Sequence, residues 1–424
     1  MRVLVAGEMR FTRAPDGTIW TREGPAYPFF TRYLSAFDQV RVVARVADAP
    51  TVPPGAKRVD GVGVEVWPVP CYIGPWQYLR QRATVIRAVR AASRRDDAVI
   101  LRVPSLIGSV LAASLERAGQ PYALEVVGDP HDTFAPGVVQ HPLRPVLRWR
   151  ATATLRRQCR NAVAVAYVTE RYLQSRYRAA PTAITTHYSS VDLTAEAFVS
   201  TPRDVHTVRR NTPPTLVSVG SLEQMYKGVD TLLAALARLA AAGSPVRHVH
   251  VGAGRCRPRL EQLAARLGVA DRITFTGALP AGPAVREQLD AADLFVMPSR
   301  TEGLPRALIE AMARGLPAVG SAVGGIPELL SPEDLVPPDD ATRLADAIQG
   351  FLSDPARMAA ASARNLRRAR DYSDETLTRR RDAFYRAVRD AGGVGRRPAQ
   401  RRTDSTNAPN GSAYLRKSND SRAR

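Results

Sequence analysis

Along the first half of the chain, short runs of β-branched and aliphatic residues alternate with longer amphipathic stretches. The runs are RVLVA (2–6), VRVVARV (40–46), AVILRV (98–103), YALEVV (122–127) and AVAVAYV (162–168). Runs this short, apolar on both faces, predict buried strands of a mostly parallel sheet, and the spacing between them leaves room for crossover helices. A polar segment with several prolines, STPRDVHTVRRNTPP (200–214), then predicts a linker. Beyond it TLVSVGSL, RHVHVGAG, RITFTGAL, DLFVMPS and PAVGSAVGG repeat the strand-then-turn pattern through residue 325, with helical stretches such as VDTLLAALARLAAAG between them. Residues 332–391 read as helical, and Ser373, two residues before Glu375, makes a helix start. The predicted class is therefore α/β, with two doubly wound, Rossmann-like domains facing a cleft. The expected division is 1–199, a linker 200–214, a second domain 215–370, a C-terminal helix 371–392 and a disordered basic tail 393–424.

Composition narrows this picture. At 424 residues and 45% hydrophobic content the chain can bury two cores of ordinary size. No apolar window is long enough to cross a bilayer, and MRVLVAGEMR turns polar too early for a signal peptide, so a cytoplasmic location is expected. Cys71, Cys159, Cys256 and the six histidines match no metal-ligand spacing, so neither a metal nor a cofactor is expected. The net charge of +20 raises the question of nucleic acid. All but three of the 60 basic residues are arginine, which points to a coding bias, and no aromatic-and-basic recognition motif accompanies them, so specific nucleic-acid binding is not expected. Lysine stands only at 57, 227 and 417, which marks the internal Lys227 as a site wanting a compact point charge.

The segment EGLPRALIEAMARGLPAVGSAVGGIPEL begins with Glu302 and carries Glu310 eight residues later. Leu304, Leu308 and Met312 recur at helical spacing and Pro305 suits a first helical position, which predicts a helix from about Leu304 to Arg314, stopped by Gly315. Glu302 then sits at the helix start, beside amides that favour an anion, and Glu310 lies inside. Roughly 12 Å along the helix direction separates them, which is too far for most glycosidase acid–base pairs. Such spacing suits a ligand with hydroxyls at both ends and a charged middle, as in a nucleotide-sugar. It also fits surface glutamates, with Glu310 in i,i+4 pairs to Arg306 and Arg314.

This segment resembles the donor-site signature of the family-4 retaining glycosyltransferases of GT-B fold (glycosyltransferase group 1), and a looser likeness extends over residues 1–391. The resemblance implies that Glu302 contacts hydroxyls of the transferred sugar and Glu310 the ribose, with the backbone of Gly303 and Leu304 beside sugar and phosphates. It also implies a C-terminal helix returning to the N-terminal domain. SVGSLEQMYKGVDTLLAAL (218–236) resembles the family's phosphate-binding segment: Gly220, Lys227 and Gly228 match, but Ser221 stands where the family has an arginine, leaving Arg255, Arg300 and Arg306 as replacements to consider. Gly252 and Gly254 continue the pattern as a glycine turn after a strand, and Thr276 lies in the segment that borders the base. In the N-terminal half, Gly24 is the candidate for the acceptor and phosphate loop. Asp129, with His131 and Asp132 after it, is the first candidate for the group facing the reacting sugar.

The resemblance thus implies a metal-independent, retaining transfer of a sugar from a nucleotide-diphosphate donor to a glycan, lipid-linked or small-molecule acceptor. Glu302, Lys227 and Asp129 would carry the chemistry. Arg80, Arg87 and Arg94 on one helical face, opposite Val85 and Val89, add an anionic membrane surface as a partner. A sugar-nucleotide epimerase or hydrolase, and a non-catalytic sugar-nucleotide-binding protein, fit the same residues.

Overall fold

The structure is a computed structural model describing residues 1–394 except 23, 136–137, 139–140, 205 and 207–212. Two sheets organise it. The first contains β1 (Arg2–Arg13), β2 (Ile19–Thr21), β3 (Gln39–Asp48), β4 (Lys57–Arg58), β5 (Val64–Pro70), β6 (Ala98–Val103), β7 (Ala123–Val126), β8 (Ala164–Tyr167) and β9 (Ile184–His187). Its parallel body runs β5-β3-β1-β6-β7-β8-β9, and the short β2 and β4 add antiparallel pairs to the far end of β1. The second sheet is wholly parallel: β12 (Ile273–Gly277), β11 (Arg247–Val251), β10 (Thr215–Val219), β13 (Leu294–Met297), β14 (Ala318–Ser321) and β15 (Leu335–Val336), in that spatial order. Both orders reverse direction beside their first strand, and the clefts beyond the carboxyl ends at such points are where open α/β sheets bind ligands.

The period-2 alternation of the strands explains the layers. Leu4 and Ala6 of β1 face one way, with Val99 and Leu101, onto the helices Gly74–Ala91, Leu106–Arg117 and Arg144–Asn161. Val3, Val5 and Ile100 face the other way, against Phe30 and Tyr33 and against Leu377, Phe384 and Tyr385 of the last helix, Asp374–Val394. The C-terminal helix therefore does return to the first sheet. Ser373 begins it, its Oγ accepting from the amide of Thr376. Two expected helical stretches are shorter than read: Arg94 lies beyond the end of Gly74–Ala91, and 332–336 holds a short turn and β15 rather than helix. The linker segment packs onto the second sheet's layer, with the Arg203 amide donating to Ser362 Oγ at 2.8 Å. Residues 207–212 of that linker and 395–424 of the expected tail lie outside the described residues. Among the described residues no helix is long and apolar enough to cross a membrane.

Candidate functional site

Three loops at the carboxyl end of the second sheet lock together around Lys227 and Glu302. After β10, the chain makes a tight turn at Met225–Lys227 and enters the helix Val229–Ala241 through Gly228, whose φ is +67°. A Cβ at Gly228 would lie 1.9 Å from the Pro298 carbonyl oxygen, so only glycine lets this turn seat on the loop after β13. The Arg300 amide donates to Tyr226 O at 2.7 Å, tying the two loops further. Lys227 lies over Gly220, whose missing side chain makes room for the lysine stem, and its Nζ meets Glu302 Oε1 at 2.7 Å. Ser299 Oγ donates to the same carboxylate oxygen at 2.7 Å. The third loop, after β14, packs on the other side: Gly324 has φ +56°, a Cβ there would lie 2.0 Å from Glu302 O, and the Gly325 amide donates to Gly303 O at 2.7 Å.

The helix after Glu302 is shorter than its sequence predicts, Arg306–Ala313, with Pro305 as its N-cap residue. Its buried stripe is Leu308, Ile309 and Met312, which leaves Glu310 on a half-buried flank. The i,i+4 pairing with Arg314 does not form, because Arg314 makes a two-pronged bond to Asp290, with both N···O distances 2.7 Å. No hydrogen bond or ion pair to the Glu310 carboxylate is found among the described residues. Burial pushes its carboxyl above the ordinary glutamate value, against the lowering charges of Arg306 and Arg286. A half-buried acid without a partner is a cost to the fold that a ligand hydroxyl relieves.

The other expected donor contacts divide. Gly252 and Gly254 are required, but for loop-to-loop contact: a Cβ at Gly252 would lie 1.9 Å from Gly220 O, and one at Gly254 2.1 Å from the Leu222 carbonyl carbon. Ser221 Oγ accepts from the Glu223 amide at 3.2 Å and stays exposed. Of the three arginines considered in its place, Arg300 is spent on Asp230 (2.9 Å) and Asp339 (2.7 Å), and Arg306 is exposed on the helix. Arg255 is anchored by its Nε to Glu223 O at 2.8 Å, immediately beside the Ser221 turn. Thr276 Oγ1 bonds Gly277 O at 3.0 Å, at the end of β12. Below the loop, Ser218 Oγ bridges His248 Nε2 (2.9 Å) and His250 Nδ1 (2.8 Å), and His250 Nε2 bonds Gly220 O at 3.0 Å. Burial pushes the two imidazoles down to about 3 and about 4, so both are neutral at pH 7 and serve as fixed props for the Gly220 turn.

Across the cleft, Gly303 faces the carboxyl end of β7, its Cβ direction reaching Val127 O at 3.4 Å. The Glu328 carboxylate accepts from the amides of Glu170, Arg171 and Tyr172 at 2.6, 2.9 and 2.5 Å, and Arg368 pairs with Glu170 at 2.8 Å, so the two halves are clasped beside the site. Asp129 is not open to this cleft. It is 5% exposed, its oxygens bind Arg176 and the Tyr177 hydroxyl, and it caps the His131 amide at 2.8 Å. Asp129, His131 and Asp132 cluster closely enough to resemble a metal ligand set, but Arg176 and Arg148 already bond to them. Although burial opposes it, hydrogen bonds from Tyr172 and His131 and the charge of Arg176 hold Asp132 below the usual carboxylate range. Gly24 lies in the bend after β2, its amide bonded to Thr21 Oγ1 at 2.8 Å. Ser299 and Glu328 shape the site without a signal in the sequence, whereas Gly324 and Gly325, legible in PAVGSAVGG as a turn after a strand, join the site only through their contacts with Glu302 and Gly303.

The family described as "Glycosyl transferases group 1" matches residues 213–354. The chain is 25% identical over 334 residues to Protein CapJ of Staphylococcus aureus, covering 77% of this chain and 80% of that one. It is 30% identical over 288 residues to the 2-deoxystreptamine glucosyltransferase of Streptomyces kanamyceticus, covering 63% and 69% respectively. Among solved structures, the sucrose-phosphate synthase of Thermosynechococcus elongatus superposes with a TM-score of 0.69 at 20% identity, over 92% of this chain and all of that one. With the interlocked loops around Lys227 and Glu302 and these likenesses together, the chain belongs to the group 1 glycosyltransferases of GT-B fold.

Proposed function

We propose that the chain is a metal-independent, retaining hexosyltransferase that takes its sugar from a nucleoside-diphosphate donor. The acceptor would be a glycan, a lipid-linked sugar or a small molecule, in the synthesis of cell-surface polysaccharide or glycoconjugate. The observation that carries this reading is the contact of Lys227 with Glu302 at 2.7 Å, at the carboxyl end of the sheet, with Glu310, unpaired among the described residues, on the helix that follows Glu302. In this reading Glu302, held by Ser299, accepts from hydroxyls of the sugar, and Glu310 accepts from the ribose. Lys227 turns toward the diphosphate, and Arg255 supplies the second positive charge in place of the arginine missing at Ser221. The bond from the anomeric carbon to the diphosphate oxygen breaks, the acceptor oxygen bonds to that carbon on the same face, and its proton passes to the departing phosphate. Charge growing on that phosphate meets a preorganised cation, which is where most of the barrier lowering arises. Asp129 serves as a positioning residue that fixes the His131 loop through its cap and its bonds to Arg176 and Tyr177.

Work in the cytoplasm, in part at the inner membrane face, fits the arginine-rich helices Gly74–Ala91 and Arg144–Asn161, which expose Trp76 and Trp149. The chemistry is tested by supplying a panel of nucleotide-sugars with and without acceptors, and reading the anomeric configuration of the product by proton NMR. Retention that survives a chelator is expected. An inverted product, loss of turnover on chelation, or full donor consumption without acceptor would refute the reading, the last in favour of an epimerase or hydrolase.

A further inference from the structure

Beyond the carboxyl ends of β7, β8 and β9, the first sheet and the last helix enclose a small cavity of about 20 Å³, room for one water-sized group. Arg32, Arg102 and Arg381 all line it, with Glu125, Tyr188 and Ser190. Glu125 is fully committed: it pairs with Arg102 and accepts from the hydroxyls of Tyr33 (3.1 Å), Tyr188 (2.8 Å) and Tyr385 (3.3 Å). One arginine is thereby neutralised inside the cavity. The carboxylates that answer the other two, Asp192 for Arg32 and Asp374 for Arg381, stand well exposed, with side-chain accessibilities of 66% and 47%. The cavity is left with a positive balance.

Arg381 makes the balance specific. Its residue is 5% exposed; Nη2 bonds Thr378 Oγ1 at 2.6 Å and Asp374 at 3.2 Å, but Nη1 is buried and has no hydrogen-bond partner. A buried guanidinium N–H without an acceptor is costly, and the planar fork of arginine matches the oxygens of a carboxylate or phosphate. Val127 also lines the cavity, and its carbonyl oxygen is the atom that the Cβ direction of Gly303 meets at 3.4 Å. Val127 thus links the cavity lining to the Gly303 loop across the cleft.

We propose that this cavity is an acceptor subsite for an anionic group, into which a carboxylate or phosphate oxygen of the acceptor inserts beside the Arg381 guanidinium, whose unbonded Nη1 turns to meet it, while Arg32 pairs with its charge. The class of acceptor is thus an acidic sugar or sugar phosphate. This rests on the transferase reading above, but the subsite can fail without it.

The test uses the full-length chain carrying Lys227→Ala, so that the donor-side phosphate contact is weakened. Inorganic phosphate is titrated while the melting temperature is followed. Phosphate is expected to raise it, with apparent affinity at least tenfold weaker when Arg381→Met is added and several-fold weaker with Arg32→Gln. Because Arg381 also holds the first turn of its helix, Arg32→Gln, on a partly exposed residue, keeps the test open if Arg381→Met folds poorly. A phosphate response unchanged by either substitution, or absent altogether, overturns the proposal and leaves a lone water as the occupant. In transfer assays without the Lys227 substitution, Arg381→Met should lower kcat/KM for a hexuronic acid or hexose phosphate acceptor at least tenfold relative to its neutral counterpart. The carboxylate and phosphate arms separate the two sources of the anion. Equal losses for charged and neutral acceptors overturn the subsite, whereas absence of transfer to any acceptor would count against the transferase reading itself.

Discussion

Replacing Lys227 by methionine should unbalance the site in a way that its partner can repair. In the folded chain the Lys227 and Glu302 side chains are 17% and 9% exposed, so the ion pair is largely withdrawn from water. Removing the lysine leaves the carboxylate with the Ser299 hydroxyl as its one side-chain donor among the described residues. Stripping one partner from a well-buried pair costs about 3–5 kcal/mol, and the remaining donor and partial exposure bring the expectation here to about 2–4 kcal/mol. For a C-terminal domain of this size that is a fall in melting temperature of roughly 4–16 °C. Glu302→Gln, which leaves the longer lysine free to reach water, should cost only about 1 kcal/mol. The double variant should then be more stable than the sum of the singles predicts by at least about 1.5 kcal/mol. Differential scanning calorimetry on the four proteins completes the cycle, and turnover should fall on the order of 10² to 10³ in each variant even where stability is regained. Additivity within about 0.5 kcal/mol, or near-normal turnover in both single variants, would mean that the pair neither stabilises the site nor serves transfer.

Three further outcomes are expected. Glu310→Gln should stabilise the protein above the ordinary glutamate range while weakening donor binding about tenfold or more: the folded-state value is raised, so ionisation penalises the fold, and the gain should fade below that range in pH-dependent melts with and without donor. Gly324→Ala should cost at least about 2 kcal/mol and lower turnover, because its Cβ would meet Glu302 O at 2.0 Å, whereas Gly17→Ala, at φ +84° with open space around it, should cost only about 1 kcal/mol and spare activity. His250 is held down to about 4 against an ordinary value near 6.5, so the unfolded chain takes up the proton first. Stability should fall by about 3 kcal/mol as pH drops from about 6.5 to about 4, and urea titrations of His250→Gln should lose that part of the slope.

The strands that cross buried sheet centres were readable because short β-branched runs such as RVLVA, apolar on both faces and bounded by turn signals, suit a packed parallel sheet. β5 was not, since Pro68 and Pro70 argue against a strand; it survives at an edge, where only β3 asks for its hydrogen bonds. β9, with an exposed Ile184 among threonines, and the two-residue β15 carry too little apolar pattern to register. Glu302, Glu310 and Lys227 were legible as a spacing and an unusual choice of residue, but their contact depended on Gly228 and Gly324, whose close approaches exist only once three loops are folded together. Asp129 shows the reverse case: an acid after a strand and a glycine reads as a reactive group, whereas Arg176 and Tyr177, far along the chain, claim both its oxygens. Pairing over such sequence distances leaves no local trace.

In the proposed pose, one donor spans Glu302 and Glu310 with its diphosphate at Lys227. A nucleotide-sugar found by thermal-shift screening and bound in a crystal tests it directly. Lys227 Nζ should lie within hydrogen-bonding distance of a phosphate oxygen, a Glu302 oxygen on a sugar hydroxyl and a Glu310 oxygen on the ribose. A donor lying elsewhere, or either glutamate left turned into solvent, would contradict it.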